Sequence, residues 1–252
     1  MRRVIIVQAR MTSTRLPGKV LMDLGGRPLL AQQLRRLKRC RHADEIVVAT
    51  TTQGADDPVV TLADREGVRW FRGNEADVLS RYVGAAREVK ADVVVRVTAD
   101  CPLIDPEESD RVIERLVDAP EPEPCDYTSN VHAVGVEHRT YPRGLDTEAM
   151  FADTIERVHR LAASAPAREH VTVYIWKERP DLFVTHLIAD AEDNSDLRWT
   201  VDERADLEMM RRLYDALGVG ERRVGYRQVL AYVRAHPELS ALNAAVAPRT
   251  VA

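Results

Sequence analysis

Cysteine is scarce in this chain. Cys40, Cys101 and Cys125 are its only cysteines among 252 residues, and they lie far apart in the sequence. Three scattered thiols exclude a disulfide framework and a cysteine-based zinc site. A hydrophobic core must therefore hold the fold, and with 45% hydrophobic residues the chain can form one large α/β domain, with or without a small appendage.

Long apolar runs are also missing. No stretch approaches the roughly 20 residues that a membrane-spanning helix needs. Four strongly apolar residues separate Met1-Arg2-Arg3 from Gln8, and this run is too short for a secretory signal peptide. We therefore expect a cytoplasmic protein without a membrane partner.

The chain also lacks an excess of positive charge. Lysine and arginine number 36 against 40 acidic residues, which gives a net charge of −4 and an isoelectric point near 6.0. A general nucleic-acid-binding surface is therefore not expected. The cations are more informative where they cluster, because Arg10, Arg15 and Lys19 follow closely after the apolar run at residues 4–7.

Short β-branched runs alternate with amphipathic patterns through the first half of the chain. The pattern predicts strands at 4–7, 45–50, 68–71 and 92–98, and helices at 28–40, 57–66, 75–90 and from 105 to 117. This alternation indicates βαβ units, and therefore a doubly wound, mostly parallel sheet of the Rossmann-like α/β class.

The second half of the chain has a more mixed pattern. Strands are predicted at 182–188 and 197–201, helices at 204–217 and 226–236, and a loose tail from 242. Three prolines at 118–124 predict a loop. We predict that residues 1–118 form a nucleotide-binding half. Residues 119–252 are then the acceptor-binding and oligomerisation half of the same domain, with mixed secondary structure, and this half completes a metal site near residue 202.

The loop at residues 9–19 leaves the first strand at the edge where doubly wound sheets bind ligands. It follows neither the GxxxxGK[ST] nor the GxGxxG pattern. Its hydroxyls, backbone N–H groups and three cations suit a polyphosphate, and Leu16-Pro17-Gly18 stiffens the chain just before Lys19. A solvated basic loop is the alternative.

Residues 8–19 resemble the signature of the cytidylyltransferases that make CMP-activated sugar acids, such as the CMP-KDO and CMP-sialic acid synthetases. Within that group they are most similar to the SpsF family of spore coat polysaccharide biosynthesis. Further segments carry the resemblance in the same order, at 71–73, 77–82, 100–105, 141–146 and 168–172. The resemblance implies a nucleotidyltransferase fold, related to the A-type glycosyltransferase fold, and transfer of CMP from CTP to an anionic acceptor with release of pyrophosphate.

Such a transfer needs cations over the leaving phosphates. Arg10, Arg15 and Lys19 supply them, since the arginine fork suits paired phosphate oxygens and lysine acts as a point charge. We expect Arg10, Lys19 and Asp100 to act in catalysis. The choice of CTP follows from the resemblance alone.

The resemblance also implies a wider nucleotide-binding set. Thr50 and Thr51 end the second strand, where backbone groups can read a pyrimidine, although ordinary strand-end threonines look the same. Arg81 is also compatible with a solvated helix surface. The full set is Ala9, Arg10, Ser13, Arg15, Lys19, Thr50, Thr51, Arg72 and Arg81.

A magnesium site is expected from the resemblance, with Mn²⁺ as a substitute. Mg²⁺ prefers a few carboxylates with phosphate oxygens and waters. Asp100 follows the fourth strand, and Asp202 precedes the helix predicted at 204, so the two fit the family's metal pair. The alternatives are a strand-end turn for Asp100 and a helix cap for Asp202. Asp105, before Pro106, is predicted to be a helix cap, and Ala99 stands where these synthetases usually have glycine.

The acceptor-binding residues are expected in two of the matching segments. Arg143, Arg168 and His170 suit a carboxylate, phosphate or phosphonate, and Tyr141 and Asp146 supply further polar groups. His170 is equally compatible with a structural role, and Asp146 with a strand cap. No general base stands out, and an acceptor that is already ionised needs none.

Two other function classes stay open at this point. One is a glycosyltransferase of the A-type fold, although no DxD motif is present. The other is a non-catalytic nucleotide-binding protein. We also expect a homodimer, for which Val171, Val173, Ile175 and Trp176 offer an apolar surface, unless they form a core helix instead.

Overall fold

Nine strands form two sheets in the computed structural model, which describes residues 1–118, 125–135 and 139–247. A seven-stranded sheet has the order β5-β4-β1-β6-β8-β7-β9, and β2 pairs with β3 in a small hairpin. The strands are β1 Arg3–Gln8, β2 Asp23–Leu24, β3 Arg27–Pro28, β4 Glu45–Thr51, β5 Arg69–Gly73, β6 Val93–Thr98, β7 Tyr127–Ser129, β8 Glu148–Phe151 and β9 Thr185–Leu187.

The first four strands of the large sheet are the ones that the sequence predicts. β5, β4, β1 and β6 are mutually parallel, and the four apolar residues at 4–7 of the central β1 are fully buried. Burial on both faces explains their continuous apolar character. The prediction of a doubly wound, mostly parallel α/β sheet is confirmed.

The far side of the sheet differs from the prediction. β8 runs antiparallel between β6 and β7, and the strand predicted at 182–188 shrinks to β9 because Pro180–Leu182 forms a 3₁₀ turn. The strand predicted at 197–201 is wrong. That segment makes a single parallel bridge, between Arg143 and Arg198, because its backbone hydrogen bonds go to two separate segments of the chain.

Helices cover both faces of the sheet. Asp105 caps α4 by accepting from the backbone N–H groups of Glu107 and Glu108 at 3.0 and 3.3 Å, which confirms its predicted role. The helices are α1 Leu29–Leu37, α2 Asp57–Arg65, α3 Val78–Val89, α4 Pro106–Val117, α5 Ala152–Leu161, α6 Ala165–His170, α7 Arg204–Leu217, α8 Tyr226–Ala235 and α9 Pro237–Ala241, with a π-helical turn at Tyr174–Glu178.

The core has three parts. One lies between the sheet and α1, α2 and α4, a second between the sheet and α3 and α5, and a third joins α7 and α8 around the fully buried Trp199. Val171, Val173 and Ile175 are also buried. Their interpretation as core residues is therefore right, and a dimer surface cannot include them.

The sheet crosses the predicted boundary between the two halves, since β7, β8 and β9 extend the sheet that β1 begins. The boundary and proline-rich loop at 119–124, and the end of the predicted tail at 248–252, lie outside the described residues. Within the described ranges, no helix combines the length and apolar character needed to cross a membrane.

Candidate active site

A cleft of about 350 Å³ opens at the carboxyl ends of β1 and β6. The chain passes from β1 to β4 and β5 on one side, then returns to β6 on the other, and ligands bind at such a reversal of strand order. The next residues continue the pairing, because Ala9 N–H donates to Ala49 and Ala99 N–H donates to Gln8, both at 3.1 Å. The first loop and Asp100 therefore start at the same edge.

The first loop has a fixed shape. Gly18 adopts φ 72°, which favours glycine, and its N–H donates to Met11 at 2.9 Å. The N–H of Met11 donates to Asp56 at 2.7 Å, and Leu16 is buried. The turn at Lys19–Leu21 then directs the lysine side chain into the cleft. The loop is therefore anchored to the core and not a solvated basic segment.

Lys19 joins the two aspartates that the sequence singles out. Its Nζ donates to Asp100 Oδ2 at 3.1 Å, to Asp202 Oδ1 at 2.9 Å and to the Val201 carbonyl at 2.7 Å. The two carboxylates thus face each other across one ammonium group, although about a hundred positions separate them. Burial disfavours the charged forms of Lys19 and Asp100, but their mutual attraction outweighs it. The two aspartates raise the pKa of Lys19, and the ammonium group lowers the pKa of Asp100.

Asp202 carries two further ion pairs. Arg15 contacts it at 2.8 Å and Arg198 at 2.7 Å. It does not cap α7, since Glu203 is the capping residue and Asp206 completes the capping box. The cap alternative for Asp202 is therefore wrong, and its carboxylate is directed toward the cations of the cleft.

Backbone contacts bring the segment at 197–202 to the cleft. Val201 N–H donates to the Asp100 carbonyl at 2.8 Å, while Arg143 exchanges hydrogen bonds with Leu197 and Trp199 at 3.0 and 2.6 Å. Gly144 has φ 106°, and an added Cβ would lie 2.5 Å from the Trp199 carbonyl carbon. This position therefore requires glycine, and the close approach places Arg143 beside the strand-like segment that carries Asp202.

The other nucleotide-loop residues also line the cleft. Arg10 lies 3.6 Å from Glu75 in a half-exposed pair. Arg81 is buried, not solvated, and donates to the Asn74 carbonyl at 3.0 Å. Within the described chain its Nε has no partner. The predicted nucleotide-binding residues that line the cleft are Ala9, Arg10, Ser13, Arg15, Lys19 and Arg81.

Three of the predicted nucleotide-binding residues lie outside the cleft lining. Thr50 and Thr51 are fully buried, and the Thr51 hydroxyl donates to Asp56. Arg72 is held by the Thr51 carbonyl at 2.9 Å and by Asp57 at 2.5 Å. The Thr51 and Arg72 side chains fix the end of β4 in the described structure.

Two predicted acceptor residues also lie outside the cleft lining. Tyr141 is fully buried, and its hydroxyl donates to Glu108 at 2.5 Å. Arg168 pairs with Asp77, whose carboxylate also accepts the Ser80 N–H at the start of α3. Tyr141 thus attaches its loop to α4, and Arg168 joins α6 to the start of α3.

Arg143, Asp146 and His170 do line the cleft. Arg139 donates a hydrogen bond to Asp146. Burial acts to raise the pKa of Asp146, but the Arg139 guanidinium outweighs it, so the pKa lies below its ordinary value. Burial and the neighbouring Arg139 lower the pKa of Arg143. No side-chain hydrogen bond or ion pair joins the Arg143 guanidinium to the described residues, so its donors are available to an anion.

Sequence reasoning gave no role to several residues of the cleft wall, among them Arg96, Glu148, Arg198 and His132. Arg96 and Glu148 form a buried ion pair at 2.6 Å beneath the cleft, and Arg198 links Asp202 to Asp206. Arg96 interrupts the apolar run of β6, which is a signal that could have identified it. His132 lies in a loop, where no periodicity distinguishes it.

The aspartate pair fits magnesium better than zinc. The described residues contain no group of three or more His, Cys, Asp or Glu side chains able to hold a metal, whereas a zinc site takes three or four protein ligands. Mg²⁺ binds through one or two carboxylates together with substrate phosphates. Asp100 and Asp202 supply such a pair beside the cationic loop.

Comparisons with known proteins agree with this geometry. Residues 4–227 match the model of the cytidylyltransferase family. The spore coat polysaccharide biosynthesis protein SpsF of Bacillus subtilis (strain 168) is 34% identical over 222 residues, which cover 85% of this chain and 87% of that protein. The 3-deoxy-manno-octulosonate cytidylyltransferase of Anaeromyxobacter sp. (strain Fw109-5) is 34% identical over 199 residues, which cover 70% and 73%.

A solved structure extends the likeness to the fold. A cytidylyltransferase from Leptospira borgpetersenii serovar Hardjo-bovis (strain JB197) has a TM-score of 0.87 at 30% identity, covering 95% of this chain and 97% of that chain. The resemblance carried by residues 8–19 and the later segments is therefore confirmed. The chain belongs to the cytidylyltransferase family and is a CTP-dependent nucleotidyltransferase.

Proposed function

We propose that this enzyme transfers CMP from CTP to an anionic acceptor in a Mg²⁺-dependent reaction. An acceptor oxygen forms a bond to the α-phosphorus, and the bond from that phosphorus to the bridging oxygen breaks, so that pyrophosphate leaves with the electron pair. The observation that carries the proposal is the meeting of Asp100 and Asp202 at Lys19, beside the anchored cationic loop.

The phosphate side of the cleft is built from cations that already have carboxylate partners. Arg10 faces Glu75, and Arg15 and Lys19 face Asp202. Phosphate oxygens can replace these carboxylates, and the cations then stabilise charge that develops on the leaving pyrophosphate. Asp100 and Asp202 would hold Mg²⁺, which when bound neutralises phosphate charge and orients the reactants.

The acceptor side is defined by Arg143. Its guanidinium reaches the cleft beside Asp146 and lacks an ion-pair partner among the described residues. A carboxylate, phosphate or phosphonate on the acceptor would provide that partner, with a bidentate contact to the guanidinium fork. Arg143 together with His170 therefore supports an anionic acceptor.

The relatives suggest a biological setting. One is a cytidylyltransferase for 3-deoxy-manno-octulosonate, and another serves spore coat polysaccharide biosynthesis. A sugar acid, sugar phosphate or phosphonate that enters polysaccharide synthesis is the corresponding acceptor class. We further propose a cytoplasmic homodimer, and a monomer in light scattering at micromolar concentration would contradict the dimer.

Pyrophosphate release tests the proposed reaction directly. The wild-type enzyme is mixed with Mg²⁺, each of CTP, UTP, dTTP and ATP, and a panel of sugar acids, sugar phosphates and phosphonates. We expect release with CTP and at least one acceptor. Equal or faster release with another nucleotide would overturn the choice of CTP, and no release with any acceptor would overturn the proposal.

Substitutions at the aspartate pair test the metal assignment. Asp100→Asn and Asp202→Asn should each abolish Mg²⁺-dependent release, because an amide is a weaker ligand than a carboxylate. Asp181→Asn is the matched control, since that carboxylate is exposed and pairs only locally with Arg179 in the described structure. Wild-type turnover in either cleft variant would contradict the two-carboxylate site.

A further inference from the structure

His132 lies in the wall of the cleft that carries Asp146 and Glu148. Its ring stacks on Trp176 with centroids 4.2 Å apart and planes inclined by 19°. The loop behind it is fixed, because the Ser129 hydroxyl accepts the backbone N–H groups of Val131 and His132 at 2.8 and 3.2 Å. The backbone of His132 is therefore anchored, one face of its imidazole is covered by Trp176, and the residue lines the cleft.

Four charged groups act on this ring: the carboxylates of Asp146 and Glu148 and the guanidiniums of Arg139 and Arg96. They are paired with one another, Asp146 with Arg139 and Glu148 with Arg96. Among the described residues none donates to or accepts from the imidazole nitrogens of His132. A ring nitrogen is thus available to a bound molecule.

The ring lines the same cleft as Asp100 and Asp202. Asp146 acts electrostatically on His132 and on Cys101, which directly follows Asp100. The histidine and the aspartate pair therefore belong to one cleft and flank the same acidic residue. Burial lowers the pKa of His132, so the imidazole is neutral at physiological pH, the form that can accept a proton.

We propose that His132 accepts the proton of an acceptor hydroxyl as that oxygen attacks the α-phosphorus of CTP. The inference rests on the proposed function and narrows its acceptor to a hydroxyl nucleophile that also carries an anionic group. The hydroxyl proton passes to an imidazole nitrogen, the oxygen–phosphorus bond forms, and pyrophosphate departs with the electrons of the broken bond. A phosphate or phosphonate nucleophile has no proton to lose and would not need His132.

The test compares His132→Gln with the wild-type enzyme over pH, using CTP and hydroxylated sugar-acid acceptors. A positioned general base contributes about 10²- to 10⁴-fold, so kcat should fall by that factor while calorimetry shows unchanged CTP affinity. The wild-type kcat/KM should decline as pH falls through the pKa of His132, which burial holds below the ordinary value of 6.5, and this acid limb should vanish in the variant. His42→Gln is the matched control, because that ring pairs with Glu114 away from the cleft.

A second variant distinguishes loss of the base from misfolding. His132→Ala should regain part of its turnover when free imidazole is added, which a purely structural role cannot produce. An unchanged acid limb in His132→Gln, or wild-type turnover confined to phosphate and phosphonate acceptors, would overturn the inference and leave the proposed function intact. Absence of pyrophosphate release by the wild-type enzyme with every acceptor would overturn both.

Discussion

Replacement of Lys19 by methionine removes a charge that both cleft aspartates contact. Methionine keeps most of the side-chain volume, so the change tests the ammonium and not the packing. The Lys19 side chain is only 10% exposed and Asp100 is 25% exposed, so the pair is well shielded from water. Asp202 keeps Arg15 and Arg198 as partners, and Asp100 is left as the uncompensated carboxylate.

The expected loss of stability follows from this arrangement. Removal of one partner from a buried pair costs about 3 to 5 kcal/mol, and we expect the lower end because only one carboxylate loses its partner. With urea m-values of about 1 to 3 kcal/mol per molar, the unfolding midpoint should fall by about 1 to 3 M. Lys38→Met is the control: this surface lysine pairs with Glu66 at 3.9 Å, and such pairs contribute at most about 1 kcal/mol.

A divalent cation should reverse the effect in the variant. With the ammonium gone, Mn²⁺ can occupy the space between the carboxylates, and a ligand that binds only the folded state raises its stability. Saturating Mn²⁺ without nucleotide should therefore raise the midpoint more in Lys19→Met than in the wild type. Equal midpoints without Mn²⁺, or an equal response to it, would refute the bridging position of Lys19.

Three further predictions concern residues in or near the cleft and in the scaffold around it. Gly144→Ala should lower stability by about 1 to 3 kcal/mol in urea unfolding, because its Cβ would lie 2.5 Å from the Trp199 backbone; a neutral change would refute that contact. Arg143→Gln should raise KM for the acceptor at least tenfold and leave CTP affinity unchanged in calorimetry, and a loss confined to CTP would contradict its acceptor role. Arg168→Gln should destabilise the protein above pH 3.8 and progressively less below it. Burial acts to raise the pKa of Asp77, but the Arg168 guanidinium outweighs it and holds that pKa below 3.8. The contribution of the ion pair to folding stability is therefore lost as pH falls through the lowered pKa. A difference in unfolding midpoint that does not change with pH would refute this.

The parallel half of the sheet was predictable because its signals are local. The runs at 4–7, 45–50 and 92–98 are rich in β-branched residues and mostly buried, and an amphipathic helix follows each of them in the chain. Parallel strands end at one edge, so the loop at 9–19 and Asp100 had to lie together. The antiparallel insertion of β8 was not predictable, since a four-residue strand with distant partners leaves no periodic pattern.

The matching segments mix cleft and scaffold residues, and the sequence does not separate them. In the segment at 141–146, Tyr141 is buried on Glu108 whereas Arg143 lines the cleft. In the segment at 168–172, Arg168 pairs with Asp77 while His170 lines the cleft. Which way each side chain turns depends on helices from elsewhere in the chain, and only the folded structure shows it.

The hydrogen bond from Lys19 to the Val201 carbonyl spans 182 positions of the chain, which has a kinetic consequence. The entropy of loop closure must be offset before so distant a contact forms, whereas β1, β4 and β6 can assemble from local βαβ units. We therefore expect the aspartate pair to be completed late in folding, after the first half of the sheet has formed. In a refolding experiment, burial of the sheet core should precede the recovery of turnover, so that activity reports the docking of the last segment and not the collapse of the first.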